Sequence, residues 1–190
     1  MTIGFLLVLA CVITKNAYGG VFPQNCGSGW IIQVTTTDVT CFGGSDGTAK
    51  VEMLSYGPLI DPGKGFIYDW GGILNPDGDG TDSIFNLTAG GWSLEVTGFS
   101  TAGAPFTCIV LPIVDEPVFG LFAFPTNVSA ASCFGNCDGS ATINVLGGNN
   151  APYTYSWDNG EITSTATSLC AGWHIVNYFD PKGCAGFDSV

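Results

Sequence analysis

Residues 139–160 read GSATINVLGGNNAPYTYSWDNG, and this stretch decides the fold class. Ala141, Ile143 and Val145 put apolar side chains on one face of an extended chain, while Thr142 and Asn144 face the other way. Tyr153, Tyr155 and Trp157 repeat the alternation after a Gly-Gly-Asn-Asn break. A period of two bounded by Gly, Asn and Pro is the pattern of half-buried β-strands joined by turns. Outward from it the same grammar continues, as in Ile67 and Asp69 against Tyr68 and Trp70. The chain has 28 glycines, 10 prolines and 11% charged residues, a poor composition for long amphipathic helices. The fold class expected is all-β.

The stretch also has a counterpart. VTCFGGSDG (39–47) answers ASCFGNCDG (131–139), TAKVEM (48–53) answers SATINV (140–145), and FIYDW (66–70) answers YTYSW (153–157). LTAGGWSLEV (87–96) then answers LCAGWHIV (169–176). The blocks keep their order, so the chain is a duplication. Six or seven short strands per unit point to two tandem immunoglobulin-like Greek-key β-sandwiches stapled by disulfides. The expected organisation is a signal-peptide-like apolar segment or retained N-terminal strand at 1–19, a first sandwich at 20–117 and a second at 118–190. The apolar run Ile3–Ile13 is too short to span a bilayer and has the length of a signal core. Trp70 with Trp157, and Trp92 with Trp173, fall at matching places and read as core or corner residues.

Eight cysteines point to an oxidising compartment. Cys41 and Cys108 bracket the first unit as Cys133 and Cys184 bracket the second. The alignment also sets Ser45 opposite Cys137 and Thr88 opposite Cys170, two positions that gain cysteine together. The expected bonds are therefore Cys41–Cys108, Cys133–Cys184 and Cys137–Cys170. That leaves Cys26 unpaired or intermolecular, unless Cys11 is retained.

Sixteen acidic residues against four basic ones give a net charge of −12, which repels nucleic acid and anionic lipid. No chemistry-bearing constellation stands out. The single histidine, His174, reads as a strand-face side chain without a neighbouring nucleophile. NPDGDGTDS (75–83) reads first as an Asp/Gly/Pro turn. Its oxygens on Asn75, Asp77, Asp79 and Asp82 also make it a candidate Ca²⁺ loop, although Asn86 stands where an EF-hand places glutamate. Asn86 and Asn127 begin N-glycosylation triplets, relevant in a eukaryotic source.

The pattern C-F-G-x-x-D-G, then P-Y-x-Y-x-W-x-N-G, L-x-A-G-aromatic and D-x-x-G-C resembles the SprB-type repeat of gliding-motility adhesins and other large surface proteins. The second unit carries CFGNCDG (133–139), GGNNAPYTYSWDNG (147–160), LCAGW (169–173) and DPKGC (180–184). The first keeps CFGGSDG and LTAGGW, with insertions around 57–65, 71–82 and 98–106. The resemblance implies an immunoglobulin- or PKD-like sandwich, an extracellular address, a scaffolding or adhesive role and no catalytic residues.

After Cys184 the second unit has only AGFDSV, against IVLPIVDEP after Cys108. A short last strand would leave a sheet edge open as a template for another chain. Two readings follow: subunits that polymerise by strand donation, or a last strand that suffices. The function expected is a structural or adhesive module of an extracellular filament or appendage, with partners among its own copies, other surface proteins or glycans. The alternative is a Ca²⁺-assisted carbohydrate-binding module acting as a monomer.

Overall fold

The computed structural model describes residues 9–10, 21–27, 29–71 and 80–190. It divides into two compact units, residues 1–39 with 44–116, and residues 40–43 with 117–190. Pro117 opens the second stretch of the second unit. The tetrapeptide 40–43, expected inside the first sandwich, packs instead with the second unit.

Unit 1 holds β1 (Leu9–Ala10), β2 (Val21–Asn25), β3 (Trp30–Thr37), β4 (Gly47–Tyr56), β5 (Ile67–Gly71), β6 (Ser83–Leu87), β7 (Gly90–Gly91), β8 (Ser93–Phe99), β9 (Pro105–Val110) and β10 (Ile113–Val114). One sheet has the order β2-β3-β4-β6 and the other β1-β9-β8-β5, with a small β7–β10 ladder. The alternation read from sequence sets the inner faces. Trp30, Ile32 and Val34 on β3 meet Trp70 on β5, Leu94 and Val96 on β8 and Val110 on β9 in one buried core. Two sheets closed over one core make a β-sandwich.

Unit 2 holds β11 (Phe122–Ser129), β12 (Gly139–Leu146), β13 (Thr154–Trp157), β14 (Thr165–Leu169), β15 (Ile175–Phe179) and β16 (Ala185–Ser189). Its sheets, β11-β12-β14 and β13-β15-β16, reproduce the β3-β4-β6 and β5-β8-β9 portions of unit 1. Ala141, Ile143 and Val145 are buried with Trp157, Ala166, Leu169, Val176 and Tyr178. The repeat extends to single bonds. Trp70 Nε1 donates to the Thr81 carbonyl at 2.8 Å and Trp157 Nε1 to that of Thr163 at 2.9 Å.

What separates the units is edge cover. In unit 1, β2 pairs antiparallel along the outer side of β3, and Leu9–Ala10 pair in parallel with Cys108–Ile109 on the outer side of β9. That pairing lies inside the segment expected as a signal-like run or retained strand; the rest of 1–19 is outside the described residues. In unit 2, no strand covers the outer side of β11 or of β16 among the described residues. All five residues of β16 pair with β15.

The strand registers correct the cysteine alignment. Trp70 lies opposite Leu94 and Trp157 opposite Val176, so Leu94 matches Val176 and Val96 matches Tyr178. Cys108 pairs with Val96, whereas Tyr178 pairs with Gly186. Cys108 therefore corresponds to Gly186, and Cys184 stands two residues earlier, roughly 7 Å along the strand. The bonds follow this offset. Cys26 joins Cys108 with Cα atoms 5.4 Å apart, and Cys41 joins Cys184 with Cα atoms 5.6 Å apart. The expected Cys41–Cys108 and Cys133–Cys184 pairs and an unpaired Cys26 are replaced. Cys137 is bonded to Cys170, and among the described cysteines Cys133 keeps a free, exposed thiol.

Candidate interaction site

The acceptor of residues 40–43 within unit 2 is built from the turn GGNN (147–150) and the turn DPKGC (180–184). Gly147 and Gly148 have φ of 84° and 57°, backbone that costs glycine little. A Cβ on Gly148 would meet Asp180 Oδ2 at 2.6 Å, so the turn can close only on glycine. Asp180 is buried, and its carboxylate accepts four hydrogen bonds. They come from Asn149 N (2.8 Å), Asn149 Nδ2, Lys182 N and Cys184 N (each 2.9 Å). Burial pushes this carboxyl up, but the bonds from Asn149, Cys184 and Lys182 outweigh it and hold the group below its ordinary value.

Asn149, so fixed, turns Nδ2 to the Thr40 carbonyl at 2.9 Å. Cys41 closes the disulfide to Cys184, and the Phe42 ring lies against Gly120, where a Cβ would be 3.4 Å away. A disulfide and a hydrogen bond from the Asn149 amide hold the tetrapeptide, with the half-exposed Phe42 ring beside Gly120.

The same loop recurs at 132–139 with a different fate. Asp138 accepts Ser132 N at 2.8 Å and Ser132 Oγ at 2.6 Å, and Asn136 N donates to the Cys133 carbonyl at 3.0 Å. The Ser132 hydroxyl and backbone bonds hold the Asp138 carboxyl below its ordinary value. Cys137–Cys170 fastens the loop from the other side. The loop is thus preorganised, yet Cys133 is free and the Phe134 ring is fully exposed. Beneath it lies a cleft of about 570 Å³ lined by Val128, Ser132, Phe134, Leu169, His174 and Val190.

His174 has partners that the sequence does not announce. Nδ1 lies 2.9 Å from Asp158 Oδ1 and Nε2 lies 3.0 Å from the Cys170 carbonyl. Both neighbours accept, so the ring satisfies both as the imidazolium. The Asp158 carboxylate and then the Cys170 carbonyl accordingly raise its pKa. Partial burial pushes Asp158 up, but its bonds from His174 and Ile175 N–H leave it below the ordinary range. His174 is a tie between β15, the 158–161 turn and the LCAG segment. Trp173, expected as a core or corner residue, is 81% exposed, and His174 occupies the matching place instead.

The edges of unit 2 that carry no strand neighbour among the described residues bear exposed apolar side chains. Phe122, Phe124 and Val128 on β11 and Phe187 on β16 are exposed. Elsewhere the candidate residues scatter. Asn75, Asp77 and Asp79 lie outside the described residues. Asp82 is exposed and accepts from Ser83 Oγ at 2.9 Å. Among the described residues no three His, Cys, Asp or Glu side chains gather as a metal site. Asn86 and Asn127 are exposed on edge strands β6 and β11. Asn86 has φ of 59°, a left-handed conformation that asparagine tolerates better than most residues.

The SprB repeat family matches the chain at residues 33–55 and 126–162. The first match runs from β3 through β4, the second from β11 through β13, one in each unit. No curated protein matches the chain. Each unit thus contains a segment similar to the SprB repeat. No described helix is long and apolar enough to cross a membrane.

Proposed function

We propose that the protein is a non-catalytic extracellular structural or adhesive module, a subunit of a surface filament or appendage whose copies join through β-strand edges. The observation that carries this reading is the contrast in edge cover. Unit 1 has β2 on β3 and Leu9–Ala10 on β9, while the matching strands of unit 2 have no strand neighbour on that side among the described residues. Bare edges, with Phe122, Phe124 and Val128 on β11 and Phe187 on β16, offer unpaired backbone groups beside apolar side chains, the combination that strand addition uses. Disulfides and sandwich packing supply rigidity, and the net charge of −12 keeps subunits soluble before assembly.

Sedimentation of the purified protein tests this. Phe122→Lys with Phe124→Lys places charge on the β11 edge and should shift large assemblies to single subunits without lowering the melting temperature. Assemblies of unchanged size would exclude that edge. The alternative, a Ca²⁺-assisted carbohydrate-binding module, rests on residues 75–82, and calorimetry with Ca²⁺ and a glycan panel decides it.

A further inference from the structure

We propose that residues 132–135 are a docking loop for a further SprB-type unit, and that Cys133 bonds to the cysteine preceding that unit's last strand. Four observations carry this. Cys41-Phe42-Gly43 and Cys133-Phe134-Gly135 stand at the same distance before Gly47 and Gly139, which open matching strands β4 and β12. Both glycines turn left-handed, with φ of 72° and 88°. The first loop is engaged in the structure: Cys41 bonds to Cys184, Thr40 O accepts from Asn149, and the half-exposed Phe42 ring lies beside Gly120. The second offers the same three groups with its thiol free and its ring fully exposed.

The acceptor needs an Asn–Asp–Cys set equivalent to Asn149, Asp180 and Cys184. Cys184 is already bonded to Cys41. At the corresponding place unit 1 carries Phe106, two residues before Cys108, and Cys108 is bonded to Cys26. Unit 1 of a second copy therefore has no such acceptor. The partner is a unit built like unit 2, with a GGN turn and a D-x-x-G-C turn.

A disulfide oxidant such as oxidised glutathione first exchanges with the acceptor cysteine, giving a mixed disulfide and one glutathione. The Cys133 thiolate then attacks the acceptor's sulfur and displaces the second glutathione. Two protein thiols and one oxidised glutathione become one protein disulfide and two reduced glutathiones. This contact is separate from strand-edge pairing, and either can fail without the other.

The test is the full chain followed by a second copy of residues 117–190, refolded in a glutathione couple and mapped by mass spectrometry. Cys133 should be found bonded to the appended copy's equivalent of Cys184, with no alkylatable thiol left at 133. Phe134→Ala should slow that bond at least fivefold. Cys133 still alkylatable, or a bond formed at an unchanged rate in Phe134→Ala, would overturn the proposal. If the extended chain fails to fold, the Cys41→Ser, Phe42→Ala chain serves as acceptor for isotope-labelled wild-type chain. A labelled-Cys133 to unlabelled-Cys184 cross-link lost on Asn149→Ala in the acceptor supports docking. Its absence, or its indifference to Asn149→Ala, overturns it.

Discussion

Trp92 and His174 occupy the same place in the two units. Trp92 Nε1 donates to the Thr88 carbonyl at 3.2 Å, and His174 Nε2 lies 3.0 Å from the Cys170 carbonyl, each reaching four residues back. Their main-chain N–H groups match as well, bonding to Pro112 O and Val190 O at 2.9 Å each. A neutral indole in one unit is thus replaced in the other by a ring that can carry charge and meet Asp158.

That exchange should make unit 2 lose stability as pH rises through the folded pKa of His174. The folded pKa of His174 is raised by Asp158, so its contribution is fully present below the unfolded value near 6.5 and is lost as pH rises through the folded value. Melting temperature followed from pH 6 to 9 should fall in wild type. His174→Gln should flatten that part of the curve. An equal fall in both would assign the effect elsewhere.

Acid should act through the carboxylates. Asp180, Asp158, Asp138 and Glu161 all have lowered folded pKa values, so their stabilisation is present above about pH 4 and is lost as pH falls through the folded values. Asp180→Asn removes the ionised acceptor of four bonds and should cost about 2–4 kcal/mol in urea unfolding at pH 7. Its stability should also decline less between pH 5 and pH 2 than that of wild type.

Tyr178 and Gly186 form a size-compensated pair where unit 1 has Val96 and Cys108. A Cβ on Gly186 would meet Tyr178 Cζ at 2.8 Å. Gly186→Ala should therefore destabilise by about 1–3 kcal/mol through overpacking. Adding Tyr178→Val should recover part of that loss, seen as a favourable coupling energy in a double-mutant cycle. Additive losses would mean that the ring does not limit the site.

The Cys26–Cys108 bond spans 82 residues of sequence. Removing it as Cys26→Ala with Cys108→Ala should cost about 2–5 kcal/mol. Calorimetry of the double variant checks this, and a loss near zero would contradict the pairing.

Much of this was legible in the sequence because strands advertise themselves by a period of two. Ala141, Ile143, Val145 and Trp157 were readable as core, and the block order showed the duplication. The disulfides were harder, since pairing by bracketing assumes that Cys108 and Cys184 are equivalent. A two-residue offset preserves the strand face, so periodicity cannot reveal it; only the ladder opposite Val96 and Tyr178 does. Trp173 misled for a similar reason: a match between tryptophans shifted the alignment by one residue, which turns a buried position outward. Asn149 and Asp180 lay inside motifs already quoted, but the task of holding residues 40–43 belongs to contacts distant in sequence.

The central claim, that copies of this module assemble through exposed edges of unit 2, is tested most directly by negative-stain microscopy of native, non-reduced protein. Regular fibres are expected, with Phe122→Lys, Phe124→Lys material giving isolated particles under the same conditions. Monodisperse particles of the 19.7 kDa chain at every concentration would contradict it and leave a self-contained module.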